Sequence, residues 1–186
     1  MRDYGKIFTT FWTSPTARAM SEDGRTVALY LMSSPHTNMI GVFRLPDGYI
    51  CEDLQWPSER VSKGLANCSL NGFATREEGS KWLVIHKHLQ WNPIENPNQA
   101  KAALKLIESI PQEMPEKPAV ARVMADSCER FRDKLDKGFW NRLETLSKPV
   151  TGTGAVTGTV TGLKTPQPRC DLSTGYLGEK LGEENF

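Results

Sequence analysis

Between Asp47 and His86 the sequence has room for little except two short helices, a break and a hairpin, in that order. Ile50 and Leu54 share one face of a helix predicted over Asp47–Leu54, and Gln55-Trp56-Pro57 interrupts it, because proline removes a helical donor and biases the preceding residue away from helix. In Ser58–Leu70, Val61, Leu65 and Cys68 recur at spacings of four and three, which makes one inward stripe on a second helix. Arg60, Lys63 and Asn67 fall on the other side. Asn71-Gly72 can adopt the left-handed conformation that terminates helices. Residues 73–76 and 81–86 are rich in strand formers and enclose the polar turn Glu77-Glu78-Gly79-Ser80, so they read as a hairpin.

Upstream, Ser14-Pro15 is a helix entry, with a capping residue followed by a proline whose missing N–H costs nothing in the first turn. A second entry follows at Ser21, where Glu22 and Asp23 suit the helix dipole and Val27, Ala28, Leu31 and Met32 make a buried face that ends before Pro35. Residues 39–43 read as one strand. Downstream, Trp91-Asn92-Pro93 through Asn96-Pro97-Asn98 is turn-rich, and Ala103, Leu104, Ile107 and Ile110 carry helical spacing over residues 99–110. Pro111, Pro115 and Pro118 then place a domain end near residue 112. Residues 119–146 read as one or two amphipathic helices, or as a segment that folds only against a partner.

The expected fold class is therefore α+β and mainly helical: a winged helix-turn-helix N-terminal domain over residues 1–112, a helical, partner-binding segment over 113–148, and a low-complexity tail over 149–186. The tail opens with a Thr/Gly/Val repeat from Pro149 to Gly162, a flexible linker by composition with some strand propensity. Its glycine pattern has one residue too many for a dinucleotide fingerprint, and no Lys-Ser/Thr pair follows as a P-loop requires. No nucleotide cofactor is expected, and any ATP-driven unwinding would belong to a partner.

A helix beside a short turn, with donors facing outward, suits the major groove of double-stranded DNA. Arg60, Lys63 and Asn67 are donors of the types that read base edges or grip phosphate, and Ser58 at the helix start can bond a phosphate together with free backbone N–H groups. On the hairpin, Arg76 and Lys81 flank the tip and suit backbone contact, while Glu77 and Glu78 oppose it electrostatically. The formal net charge of +1 is low for a DNA-binding chain, so any basic face must be local.

Enzymatic readings find little support. Cys51, Cys68, Cys128 and Cys170 never approach C-x-x-C spacing, so reduced thiols are expected, with Cys51 and Cys68 packed as small apolar residues. His86-x-His88 would place two imidazoles on one strand face, but no third ligand is evident nearby, so no metal is expected. No nucleophile elbow, zinc-protease motif or carboxylate pair stands out. No apolar run approaches the ~20 residues a membrane span needs, and no secretory leader opens the chain, so a cytoplasmic location is expected.

Phe11-Trp12, Leu29-Tyr30-Leu31, the block from Ser33-Ser34-Pro35-His36-Thr37 to Gly41, the block from Arg44 to Tyr49, Glu59-Arg60-Val61, and the block from Trp91-Asn92-Pro93 to Asn98 together resemble the N-terminal domain of phage and prophage replication initiation proteins, including replisome organisers. The resemblance covers roughly residues 4–112 and is most specific in the Ser-Ser-Pro-His-Thr and Trp-Asn-Pro blocks. It implies origin binding by the winged helix in a bacterial host cell, contact of the C-terminal region with the replicative helicase or its loader, and self-association on DNA. It also suggests that the Thr/Gly/Val repeat is shaped partly by repeated DNA within its own gene. A winged-helix transcription regulator and a protein-interaction adaptor that never meets DNA remain open readings of the same residues.

Overall fold

The computed structural model describes residues 5–148. Its helices are α1 (Pro15–Ala19), α2 (Glu22–Ser33), α3 (Asp47–Leu54), α4 (Ser58–Leu70), α5 (His88–Trp91), α6 (Pro97–Ser109), α7 (Lys117–Cys128) and α8 (Lys137–Ser147). Three strands, β1 (Val42–Arg44), β2 (Ala74–Arg76) and β3 (Trp82–Ile85), form an antiparallel sheet in the order β1-β3-β2. A single 3-10 turn occupies Thr9–Phe11, and a 3-10 stretch kinked at Phe131 occupies Glu129–Lys134. The chain is thus α+β and mainly helical, as its periodicities predict.

Local chemistry accounts for most element ends. Ser14, Ser21, Asn96 and Asp136 each accept a backbone N–H from the first turn of the helix they precede, which satisfies a donor the helix cannot. Gln55 ends α3 in the left-handed region at φ 54°. With Pro57 still extended, only residues 55–57 separate α3 from α4. Gly72, at φ +66°, completes the predicted stop after α4, and the Phe73 N–H returns to the Cys68 carbonyl at 2.9 Å.

The sheet is buried on both faces. Phe43, Leu83, Ile85 and Ala74 join the core that α1–α4 cover, with Val27, Leu31, Ile50, Val61 and Cys68. Val42 and Val84 point the other way, into a core with Leu104, Ile107, Met124, Phe139 and Leu143 from α6–α8. That second core spans the boundary expected near residue 112, and the described residues 5–148 fall within one compact unit. The buried residues of α7 and α8 pack into the chain's own core. The readings made for residues 149–186, including the linker and Cys170, lie outside the described residues.

The first strand begins at Val42, not residue 39, because the Asn38 carboxamide accepts from the Ile40 and Val42 N–H groups at 3.1 and 3.3 Å and so forms a turn first. The sixth helix starts at Pro97, two residues early, with Asn96 as its cap. His86 and His88 do not share a strand face: β3 stops at Ile85, Lys87 is left-handed, and His88 opens α5. No helix among the described residues is long and apolar enough to cross a membrane.

Candidate nucleic-acid interface

Helix α4 is fixed by what it buries. Val61, Gly64, Leu65 and Cys68 face inward, and a Cβ at Gly64 would stand 2.6 Å from Val27 Cγ2. The two helices therefore approach more closely than any side chain at residue 64 permits. Burial pushes the Cys68 thiol up to about 12, and its Sγ donates to the Gly24 carbonyl at 3.2 Å, so this thiol is a packing group and not a nucleophile. Cys51, Cys68 and Cys128 are all free thiols.

The donors predicted on α4 have different surroundings. Arg60 is exposed, but its Nε and Nη2 donate to Asp23 Oδ1 at 3.0 and 2.7 Å, and its guanidinium lies 3.7 Å from the Trp56 ring centre. The hydrogen bond from Arg60 is the chief cause holding the Asp23 carboxyl below its usual range. Arg60 thus ties α4 to the first turn of α2, with its charge matched. Lys63 pairs with Glu59 one turn back at 2.7 Å, both widely exposed, a link worth only a few tenths of a kcal/mol and easily exchanged for a phosphate (~0.3–0.5). Ser58 stands exposed at the uncapped start of α4, where free N–H groups suit an anion.

Asn67 is half-buried, and its Oδ1 accepts the Ser21 N–H at 2.9 Å. It therefore closes the start of α2 from outside. Asn67→Ala is expected to lower stability by about 1 kcal/mol, the usual cost of a lost cap, read as a shift in the urea midpoint at constant slope. An unchanged midpoint would remove this role.

On the hairpin, the Arg76 side chain is only 6% exposed and is bonded to both Asp47 and Glu78. Lys81 Nζ sits 3.0 Å from Glu78 and 3.4 Å from Asp47. Glu77 closes the turn: its carboxylate accepts the Gly79 and Ser80 N–H groups, and bonding from Ser80 and Gly79 brings its pKa down to about 2. The acidic tip is thus part of the turn's own construction, and the two cations beside it are neutralised locally.

What remains on the outer face of α4 is Glu59, Ser62, Lys63, Ala66, Ser69 and Leu70, all exposed. Small side chains at 62, 66 and 69 would let the helix approach a groove closely. Residue type alone places Arg60, Lys63 and Asn67 together on the outer face and does not single out these small side chains. Gly64 was the available signal: Arg60, Gly64 and Asn67 are four and three apart, so they share the stripe that meets α2. Arg44 was also missed. It ends β1 exposed, with its Nε donating to the Ser80 carbonyl at 3.0 Å and no carboxylate partner among the described residues.

No metal site emerges among the described residues. His86 is engaged with Thr75, Nε2 to Oγ1 at 2.7 Å.

No family model, curated protein or solved structure matches the chain.

Proposed function

We propose that this chain is a winged helix-turn-helix protein that binds double-stranded DNA through the outer face of α4, and that it acts in phage-type replication initiation. The observation that carries the first part is the connectivity. A helix, a strand, two helices separated by three residues, and a hairpin whose second strand lies beside the first strand make the arrangement that presents one helix to a groove and one turn to the flanking backbone. Lys63 with Ser58, Ser62 and Ser69 would meet the duplex, and Arg44 would serve the flanking phosphates. Arg60 would act from the flank, still stacked on Trp56.

The initiation role, and with it a replicative helicase or loader as partner, rests on the resemblance of residues 4–112. A winged-helix regulator is its nearest rival, separated by whether helicase is recruited to the bound site. The adaptor reading has a specific observation in its favour, since Arg60, Arg76 and Lys81 are all matched by carboxylates.

Salt dependence decides between DNA binding and the adaptor. Fluorescence anisotropy of residues 1–148 and of the full chain against duplexes tiled across its own gene and flanks should find binding that weakens steeply with salt. Lys63→Ala is expected to weaken it by roughly tenfold and to reduce the salt slope by about one. Absence of salt-sensitive binding on every tile would leave the adaptor reading in place.

A further inference from the structure

A cleft of about 400 Å³ opens where residues 6–17 cross the end of β3 and the start of α5. Its floor is aromatic: Phe11 and Phe73, 8% and 2% exposed, meet edge to face at 6.4 Å, and Trp91 stacks on Phe73 at 5.8 Å. Phe8 lines the mouth and is 51% exposed. Trp12, 57% exposed, lies outside the lining and meets the ring of Phe11 edge to face at 5.3 Å. Two large aromatics four residues apart are thus held in solvent next to an aromatic-floored cavity.

The charge of the lining is one-sided. Lys6 and Lys87 contribute to it and no Asp or Glu does, although the chain as a whole has 23 Lys and Arg against 22 Asp and Glu. Lys6 is paired with Glu95 at 2.8 Å. Lys87 is exposed, has no side-chain partner among the described residues, and holds a left-handed backbone at φ 58°, a conformation uncommon for a residue with a side chain. The side chains of Thr10 and Gln90 likewise make no hydrogen bond among the described residues. The cleft therefore offers flat apolar faces, one unmatched cation and uncommitted polar groups at its rim.

We propose that this cleft binds an unpaired nucleotide, with the base against Phe8 and Trp91 and the phosphate on Lys87. A base needs a stacking face and tolerates any neighbour that supplies one, and its phosphate needs a cation not already matched. The exposed ring of Trp12 gives a following base a second face, which favours a single strand over a free nucleotide. None of the exposed face of α4 lines the cleft, so this site does not depend on duplex binding.

The full chain should be titrated by anisotropy with fluorescent oligothymidylates of about four, seven and ten nucleotides, within the span such sites cover, and in parallel with duplex DNA and with thymidine monophosphate as competitor. Phe8→Ala and Lys87→Gly alter exposed side chains, and glycine fits the left-handed backbone without strain. Each should weaken oligothymidylate binding by about fivefold or more and leave duplex binding unchanged, with Lys63→Ala giving the reverse pattern. Affinity that grows with strand length identifies the strand as the source, and full competition by the mononucleotide identifies the free nucleotide. Absence of binding by both probes, or wild-type affinity in both cleft variants, would overturn the proposal. Loss of duplex binding alone would count only against the function proposed for α4.

Discussion

A chain ended after residue 112 is expected to lose cooperative unfolding, whereas one ended after residue 148 keeps it. The shorter chain lacks Met114, Ala121, Met124, Cys128, Leu135, Phe139 and Leu143, all buried in the core beneath the sheet. Each larger side chain among them is worth about 1.5–3 kcal/mol of burial, so the loss is on the order of 10 kcal/mol. Ordinary domains have only about 5–15 kcal/mol in total. The truncation also uncovers Val42, Val84, Leu104 and Ile107, an apolar surface suited to aggregation. Urea unfolding followed by tryptophan fluorescence and circular dichroism gives the test. A sharp transition for residues 1–112 at the midpoint of the longer chain would mean that α7 and α8 adhere without contributing to the core.

The same residues show what the sequence made legible and what it did not. Two helix starts were readable because one side chain decides each: Ser14 and Ser21 stand immediately before the helices predicted from them, and each accepts an N–H from the first turn. The three-residue break and the Gly72 stop were readable for the same reason. The second core was not read, although Trp82-Leu83-Val84-Ile85 carried its signal. A hairpin with one wet face alternates apolar and polar residues, whereas a continuous apolar run asks for cover on both sides. Leu83 and Ile85 enter one core, and Val84 enters the other. Within the candidate interface, residue types identified donors but not their neighbours. Asp23 and Asp47 are 37 and 29 positions from Arg60 and Arg76 in sequence, and no local pattern joins such pairs.

That distinction has its largest consequence at Arg76. Arg76→Met is expected to cost about 2 kcal/mol, because it leaves the Asp47 carboxylate, 30% exposed, with only Lys81 at 3.4 Å to offset its partial burial. The pair connects β2 to the first turn of α3, so the loss should also loosen the hairpin against the helix before the turn. The pH dependence carries a definite sign. Bonding from Arg76 outweighs burial and holds the Asp47 pKa below its ordinary value of 3.8. The stabilisation is therefore complete at neutral pH, begins to fade near the unfolded value as pH falls, and is lost through the lower folded value. In Arg76→Met that acid-side decline should shrink. Replacing both partners, as in Asp47→Leu with Arg76→Met, should recover much of the stability, since an apolar pair of similar volume avoids stranding a charge. Lys63→Ala provides the contrast: stability nearly unchanged, duplex affinity and salt slope reduced. If Arg76→Met instead lowered duplex affinity and salt slope as Lys63→Ala does, with the urea midpoint unmoved, Arg76 would be a phosphate contact and its bonds to Asp47 and Glu78 incidental to the fold.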